Sequence, residues 1–277
     1  MINLNELNDM QREAAGTIDG PVLILAGAGS GKTRTITYRI AHMVDNLCIN
    51  PHSILGVSFT NKAATEMKER VVNLLGKEKS KGLTLTTFHA LGVKILRNEI
   101  EKLGYHKNFS IYDTGDQLSI IKDALKNFHA EKASFDRKRI LQKIGNLKNK
   151  GIDHDSYANS IYFDGESAYD HATEYCYRFY QDKLNFFNAI DFDDILFLMV
   201  KLFDQFPEVA QQYSNQFKYL MIDEYQDTNH LQFKIATALT STHNNICVVG
   251  DDDQSIYAFR GADLDNILSF EKKFSGC

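Results

Sequence analysis

Five short apolar runs are spread along the chain, each five to seven residues long and rich in β-branched or aliphatic side chains. Continuous apolar runs of this length are typical of parallel strands that are buried on both faces. The runs occupy residues 21–26, 53–59, 83–88, 219–223 and 245–251. The pattern therefore predicts a parallel sheet built from these segments.

Between the runs, apolar positions recur at helical spacing. One predicted helix begins at Lys32 and reaches about Leu47, and a second covers residues 61–75. The apolar stripe of the second helix consists of Ala64, Met67, Val71 and Leu74. Strands that alternate with helices in this way predict an α/β fold.

The segment 114–189 differs, because it contains long helical patterns and no convincing strand. Within it, the stretch 132–150 carries a local excess of basic residues. They are Lys132, Arg137, Lys138, Arg139, Lys143, Lys148 and Lys150, against the single acid Asp136. Such a run is typical of a solvated helix face, and contact with nucleic acid is the alternative.

The composition and net charge of the chain restrict the kinds of site that it could contain. The 277 residues carry a net charge of −5, with 43% hydrophobic and 24% charged residues, so any nucleic-acid surface must be a local patch. The four cysteines are scattered, which indicates neither a disulfide framework nor a zinc site. We expect a soluble, cytoplasmic protein, because no apolar run reaches the length of a membrane span and the N-terminus lacks an export signal.

The stretch AGAGSGKT at residues 26–33 fits a phosphate-binding loop between a predicted strand and a predicted helix. Glycines let the backbone N–H groups surround phosphates at a helix N-terminus. Lys32 would reach the β and γ phosphates, and the Thr33 hydroxyl would coordinate Mg²⁺. The ATP-binding candidates in the loop are Ala26, Gly27, Ala28, Gly29, Ser30, Gly31, Lys32 and Thr33.

A second motif, YLMIDEYQD at residues 219–227, ends an apolar run in two carboxylates. Such a strand delivers them to the carboxyl edge of the sheet, where α/β folds bind ligands. Asp223 could hold Mg²⁺, and Glu224 could orient and deprotonate an attacking water. The alternative is a strand followed by an acidic helix N-terminus, which becomes improbable beside a phosphate loop.

A third motif, VVGDDDQSIYAFRGAD at residues 248–263, follows another apolar run. Gln254 could sense the γ phosphate, and Arg260 could contact a phosphate or a carboxylate. Tyr257 and Phe259 could stack on nucleobases, although aromatic residues more often pack in a core.

The ordered motifs AGAGSGKTR, VSFTNKAATEM, TFHA, IDFDD, IDEYQDTN and VGDDDQSIYAFRGAD resemble the superfamily 1 DNA helicases of the UvrD, Rep and PcrA family. The resemblance covers residues 10–263. It implies a RecA-like P-loop NTPase lobe with a central parallel sheet, formed by residues 1–113 and 190–277. Residues 114–189 would be an inserted all-helical accessory domain.

The resemblance also implies roles for individual residues. Gln11 would read the adenine edge and Arg34 would contact the nucleotide, while Gln254 and Arg260 would link the γ phosphate to the DNA. The positions similar to those that line single-stranded DNA are Phe59, Thr60, Asn61, Lys62, Thr87, Phe88, His89, Tyr257 and Phe259. Alone, His89 would more often be a structural histidine, and Phe259 stands where family members usually have tryptophan.

By resemblance, the parent protein would use ATP and Mg²⁺ to move three-prime to five-prime on single-stranded DNA and to unwind duplexes in repair or replication. Its partners would be single-stranded and junction DNA, together with accessory loading proteins. A second RecA-like lobe would supply arginine fingers and an aromatic residue that stacks on adenine. We expect this chain to be an N-terminal fragment that lacks this lobe and has little hydrolytic or unwinding activity by itself.

Three alternatives remain open at this point. The parent could be the motor of a larger helicase-nuclease. An unrelated small-molecule kinase could use the same loop and Asp223, although the QSIYAFRG and FTNKAA segments would then have no explanation. A non-catalytic module for DNA binding or partner docking could retain the motor residues as relics.

Overall fold

The computed structural model describes residues 1–27, 29–128, 134–251 and 270–274. The chain divides into two compact units. The α/β unit comprises residues 1–91 and 206–277, and the helical unit comprises residues 92–205. Within the described residues, no helix is both long and apolar enough to cross a membrane.

Seven strands and eleven helices are described. The strands are β1 Val22–Leu25, β2 Ile54–Ser58, β3 Thr84–Thr87, β4 Ser110–Ile111, β5 Ala189–Ile190, β6 Tyr219–Ile222 and β7 Ile246–Gly250. The helices are α1 Asp9–Gly16, α2 Lys32–Asp45, α3 Asn61–Leu75, α4 Phe88–Glu99, α5 Thr114–Asn127, α6 Arg137–Asn149, α7 Ala168–Phe186, α8 Phe192–Gln205, α9 Pro207–Gln216, α10 His230–Thr240 and α11 Phe270–Lys273.

The α/β unit contains a five-stranded sheet in the order β1-β7-β6-β2-β3. Every neighbouring pair is parallel, which confirms the α/β fold class and all five predicted strands. The inner strands β2 and β7 are buried throughout, whereas the edge strands β1 and β3 are half-buried. Parallel strands all end at one edge of the sheet, so the segments that follow them are brought together there.

The two predicted helices, α2 and α3, both form. In α3 the buried positions are Ala64, Met67, Val71 and Leu75. Leu74, the last position of the predicted stripe, is half-buried and packs against the core cluster, and the neighbouring Leu75 is buried as well. Both helices contribute to a core cluster whose buried members include Ile36, Ile40, Met67, Val71, Met221 and Cys247.

The helical unit has its own core, formed mainly by α5, α6 and α7. Its buried members include Ile121, Ile140, Ile144, Tyr177, Tyr180 and Leu184. The sequence predicts an all-helical insertion at 114–189, and the described residues of that segment form helices and turns up to β5, which begins at Ala189. The helical unit is larger than this segment and also contains β4, which pairs with β5 as a short parallel sheet. Each has two residues, which is too short to give a strand pattern.

The observed units divide at 91/92 and 205/206, whereas the sequence predicts boundaries at 113/114 and 189/190. Residues 192–205 fall in the helical unit because α8 packs against α6 and against the 3-10 turn Ile100–Leu103. An amphipathic helix shows its apolar face in the sequence but does not show which partner covers that face.

The basic run 132–150 is only partly a solvated helix face. Lys138 on α6 and Lys150, directly after its end, are exposed. In contrast, Lys148 is fully buried and Lys143 forms an ion pair with Asp170. The expectation of a solvated face is therefore wrong for Lys148. Lys132 lies outside the described residues.

Candidate nucleotide site and nucleic-acid track

The phosphate loop connects β1 to α2. Gly29 and Gly31 have φ angles of +74° and +87°, in the left-handed region that favours glycine. Gly31 precedes the first residue of α2 and has no side chain that could cap the first-turn N–H groups. A Cβ at Gly31 would also lie 2.7 Å from Gln11 Nε2. The loop therefore presents backbone N–H groups and the positive end of a helix, which is a favourable site for phosphate.

Lys32 begins α2 and lies close to the end of β7. Its Nζ is 3.3 Å from Asp251 Oδ2, and the two side chains are 9% and 3% exposed. The separation is long for a charge-assisted hydrogen bond, which is usually 2.7–2.9 Å. The ion pair between Lys32 and Asp251 is therefore loose, and an anionic ligand in the loop could replace it.

Thr33 and Asp223 bring together the phosphate loop and the end of β6. Thr33 Oγ1 donates to Asp223 Oδ2 at 3.4 Å. Burial and the neighbouring Glu224 carboxylate raise the pKa of Asp223 to about 6, partly offset by the backbone N–H of Glu224, by Thr33 and by Lys32. Adjacent ligands of an octahedral Mg²⁺ stand about 3 Å apart, and Mg²⁺ prefers oxygen donors. The two oxygens fit a shared Mg²⁺ in donor type and spacing.

Glu224 follows Asp223 in a strained turn. Its φ is +53°, a conformation uncommon for a residue other than glycine and often found at functional sites. Gln226 Nε2 donates to Glu224 Oε2 at 2.7 Å, and Gln226 Oε1 accepts from the Asp251 N–H at 3.1 Å. Gln226 is thus a buried bridge between the ends of β6 and β7.

Sequence reasoning missed Gln226 and Asp251 as parts of this site. Both lie within quoted motifs, Gln226 two positions after Glu224 and Asp251 three positions before Gln254. Their pairing could not be found from spacing, because it depends on β6 and β7 being neighbours in the sheet.

Gln11 lies against the phosphate loop from α1. Its Nε2 donates to the Ser30 carbonyl at 2.8 Å. A cleft of about 380 Å³ lies beside it, lined by residues of α1, β1 and the loop. Arg34 donates instead to the Glu6 carbonyl at 2.9 Å.

The predicted DNA-contacting residues follow β2 and β3. Thr60 caps α3 by accepting from the Ala63 N–H, and Asn61 and Lys62 are exposed at the start of that helix. Thr87 Oγ1 donates to Asn61 Oδ1 at 3.5 Å, which joins the ends of the two strands. Thr87 and Phe88 are buried, so in this structure they form the support of a surface rather than its face. Phe59 and His89 are partly exposed.

One edge of the sheet therefore carries two adjacent groups of predicted residues. The loop, Lys32, Thr33, Asp223 and Glu224 follow β1 or β6, and the DNA candidates follow β2 and β3. The strands β6 and β2 are neighbours, and the Asp223 N–H donates to the Val57 carbonyl at 3.0 Å. The predicted residues Ala28, Gln254, Tyr257, Phe259 and Arg260 lie outside the described residues.

Comparisons with known proteins agree with this geometry. A family model described as the UvrD/REP helicase N-terminal domain matches residues 7–275. Over 271 residues the chain is 45% identical to a Bacillus subtilis strain 168 protein named ATP-dependent DNA helicase PcrA, covering 98% of this chain and 36% of that protein. Proteins of the same name are 44% identical over 272 residues in Staphylococcus aureus strain Mu50 and 43% identical over 270 residues in Leuconostoc citreum. In each case the match covers 98% of this chain, which spans 36% of the relative's length.

Proposed function

The chain belongs to the UvrD/REP helicase family, and from that premise we propose that it carries the ATP-binding half-site and part of the DNA track of an ATP-dependent DNA helicase. The observation that carries the proposal is the convergence of Thr33 and Asp223 at 3.4 Å, on the sheet edge that also bears Phe59, Asn61 and Lys62. The names of the relatives, which are ATP-dependent DNA helicases, support the same activity.

In this proposal the residues of the loop have different roles in nucleotide binding. The N–H groups of residues 29–33 and the N-terminus of α2 bind phosphate oxygens, and Lys32 leaves Asp251 to neutralise phosphate charge. Thr33 and Asp223 would hold Mg²⁺, which would neutralise phosphate charge and orient the phosphates for attack. Gln11, at the edge of the cleft, would contact the base.

Glu224 acts as the general base. Its carboxylate orients the attacking water and accepts its proton, and the Gln226 amide holds that carboxylate in position through the 2.7 Å hydrogen bond. Gln226 is a positioning residue, since it touches Glu224 and the β7 end rather than the reacting atoms.

The DNA track lies at the ends of β2 and β3. Lys62 is exposed there and can contact a phosphate, and Phe59 offers an aromatic face to a base. By family resemblance, movement runs three-prime to five-prime in a repair or replication role, and arginine fingers from a second lobe complete the hydrolytic site. We expect weak, salt-sensitive DNA binding and little unwinding from this chain alone.

The test is steady-state ATP hydrolysis by the 277-residue chain with and without single-stranded DNA, using Glu224→Gln as the blank. We expect slow hydrolysis that rises when DNA is added and falls by about 10²-fold or more in the blank, in the range typical of a lost general base. Robust unwinding by this chain alone would contradict the half-site proposal. Hydrolysis insensitive to DNA, with phosphoryl transfer to a small molecule, would favour the kinase alternative.

A further inference from the structure

Arg39 is a buried cation with an unusual set of partners. It lies on α2, two turns after Lys32, and is 2% exposed. Its Nη1 donates to the Ala14 carbonyl at 2.7 Å and also to the Thr17 carbonyl, and its Nη2 donates to the Ile18 carbonyl at 3.1 Å. All three acceptors lie at or just beyond the C-terminal end of α1.

These contacts make Arg39 the cap of α1. The last carbonyls of a helix have no partner within the helix, and a cation there also interacts favourably with the negative end of the helix dipole. A guanidinium presents several N–H donors in a fixed plane, so one side chain can serve three carbonyls at once. A lysine ammonium at this position has a different shape and cannot reproduce the same set.

The same helix is attached to the phosphate loop at its other end. Asn8 and Gln11 form a capping box at the start of α1, and Gln11 Nε2 reaches the Ser30 carbonyl at 2.8 Å. The helix α1 is therefore fixed to the loop–α2 element at both ends, by Gln11 and by Arg39. Between them, Met10, Glu13 and Ala14 line the 380 Å³ cleft beside the loop.

We propose that Arg39 is a positioning residue for the nucleobase: by holding the end of α1, it sets the distance between the α1 wall of the cleft and β1. This inference rests on the proposed function, because it assumes that a nucleotide bound at the loop places its base in the cleft. Arg39 does not contact the nucleotide. Its effect is confined to the part of the ligand that reaches α1, which is the nucleoside and not the phosphates.

The experiment compares two ligands of the 277-residue chain by calorimetric titration in the presence of Mg²⁺. ADP probes the loop and the cleft together, and inorganic tripolyphosphate probes the loop alone. We expect Arg39→Met to weaken ADP binding by about tenfold, the effect of losing one or two well-formed hydrogen bonds, and to change tripolyphosphate binding by less than about twofold. Arg39→Lys, which keeps the charge, should give a smaller loss and should fold if Arg39→Met does not.

Two controls separate positioning from general destabilisation. Ile40→Val removes a methyl group from the next residue of α2, which packs in the core cluster with Met67 rather than at α1; it should lower the melting temperature without changing the ratio of the two affinities. In a Gln11→Ala background the effect of Arg39→Met on ADP should shrink, because the two residues act on the same helix.

The outcomes are distinct. Two results would overturn the assignment of Arg39 while leaving the nucleotide site in place. One is an equal weakening of ADP binding and tripolyphosphate binding, and the other is a ratio of the two affinities that is unchanged in both Arg39 variants. Binding of neither ligand by the unsubstituted chain would overturn the proposed function and this inference with it.

Discussion

Two lysines of this chain are largely withdrawn from water, and their surroundings differ. Among the described residues, Lys32 in the α/β unit forms an ion pair with Asp251 at 3.3 Å, and it lies beside the phosphate loop. Lys148 in the helical unit is fully buried and has two carboxylate contacts, with Asp191 and Asp194, both at 2.7 Å. One cation is loosely neutralised at the edge of a cleft, and the other is enclosed.

The surroundings of Lys148 form a closed network. Tyr180 donates its hydroxyl to Asp191 Oδ2 at 2.7 Å, and the backbone N–H groups of Asp191 and Asp194 each donate to the other's carboxylate. Burial by itself lowers the pKa of Lys148, whereas the carboxylates of Asp191 and Asp194 raise it. The net effect is a raised pKa. Both aspartates lie in the segment IDFDD, so this motif holds the start of α8 against α6.

The difference between the two sites shows that a buried lysine–carboxylate pair can have two different roles. A buried ion pair contributes little net stability against an apolar alternative, but breaking one partner is costly. Lys148 is fully buried between two carboxylates at 2.7 Å, an arrangement that suits fixing the packing of helices. The Lys32–Asp251 pair is long, so we expect that a phosphate can take the place of Asp251.

The largest effect is expected when the closed network is broken. Lys148→Met should lower the free energy of unfolding by about 3–5 kcal/mol, because two buried carboxylates lose their cation. The measurement is urea unfolding followed by circular dichroism, with Lys150→Met as the matched control. Lys150 is exposed and lies 3.7 Å from the centre of the Tyr162 ring, so its loss should cost under about 1 kcal/mol. Equal midpoints for the two variants would contradict the contrast.

A smaller effect of opposite sign is expected at the Mg²⁺ candidate. The pKa of Asp223 is raised to about 6 in the folded chain, above its unfolded value near 4. The folded state therefore binds the proton more tightly, and this contribution to stability is full below about pH 4 and is lost as the pH rises through about 6.

An asparagine at position 223 cannot ionise, so the Asp223→Asn variant does not lose this stability as the pH rises. At pH 7, without nucleotide, the variant should be more stable than the parent by about 1–3 kcal/mol, and near pH 4 the difference should approach zero. Urea unfolding of both proteins across this pH range measures it. A variant that is less stable than the parent at pH 7 would show that the Asp223 carboxylate stabilises the fold. That result would contradict the view that the carboxylate serves ligand binding at a cost in stability.

The sequence was sufficient to predict the sheet and the meeting of the segments that follow β1 and β6 at its edge. The strands at 54–58 and 246–250 are uninterrupted apolar runs that are buried on both faces, and each ends at motif residues. Because parallel strands share one edge, the meeting of Thr33 with Asp223 follows from the order of the motifs.

Other features depend on contacts between distant parts of the chain. Lys148 shares the buried stripe of α6 with Ile140, Ile144 and Leu147. Helical spacing can therefore place it on that stripe, but it cannot show what neutralises it, because the partner Asp191 is 43 positions away.

Gln226 and Arg39 were missed because their partners lie on neighbouring elements: Gln226 contacts the Asp251 N–H, and Arg39 contacts backbone carbonyls at the end of α1. Every residue type except proline carries the same backbone donor and acceptor, so the sequence does not show which backbone group a side chain contacts.

The most direct test of the account is calorimetric titration of Mg·ADP into the 277-residue chain and into Lys32→Met, with Lys150→Met as the control. We expect binding by the parent and the control that differs by less than about twofold, and a loss of about 10- to 100-fold in Lys32→Met, as for a removed charge-assisted bond to phosphate. Equal affinity of Lys32→Met and the parent would contradict the claim that the loosely neutralised lysine is the one available to the nucleotide.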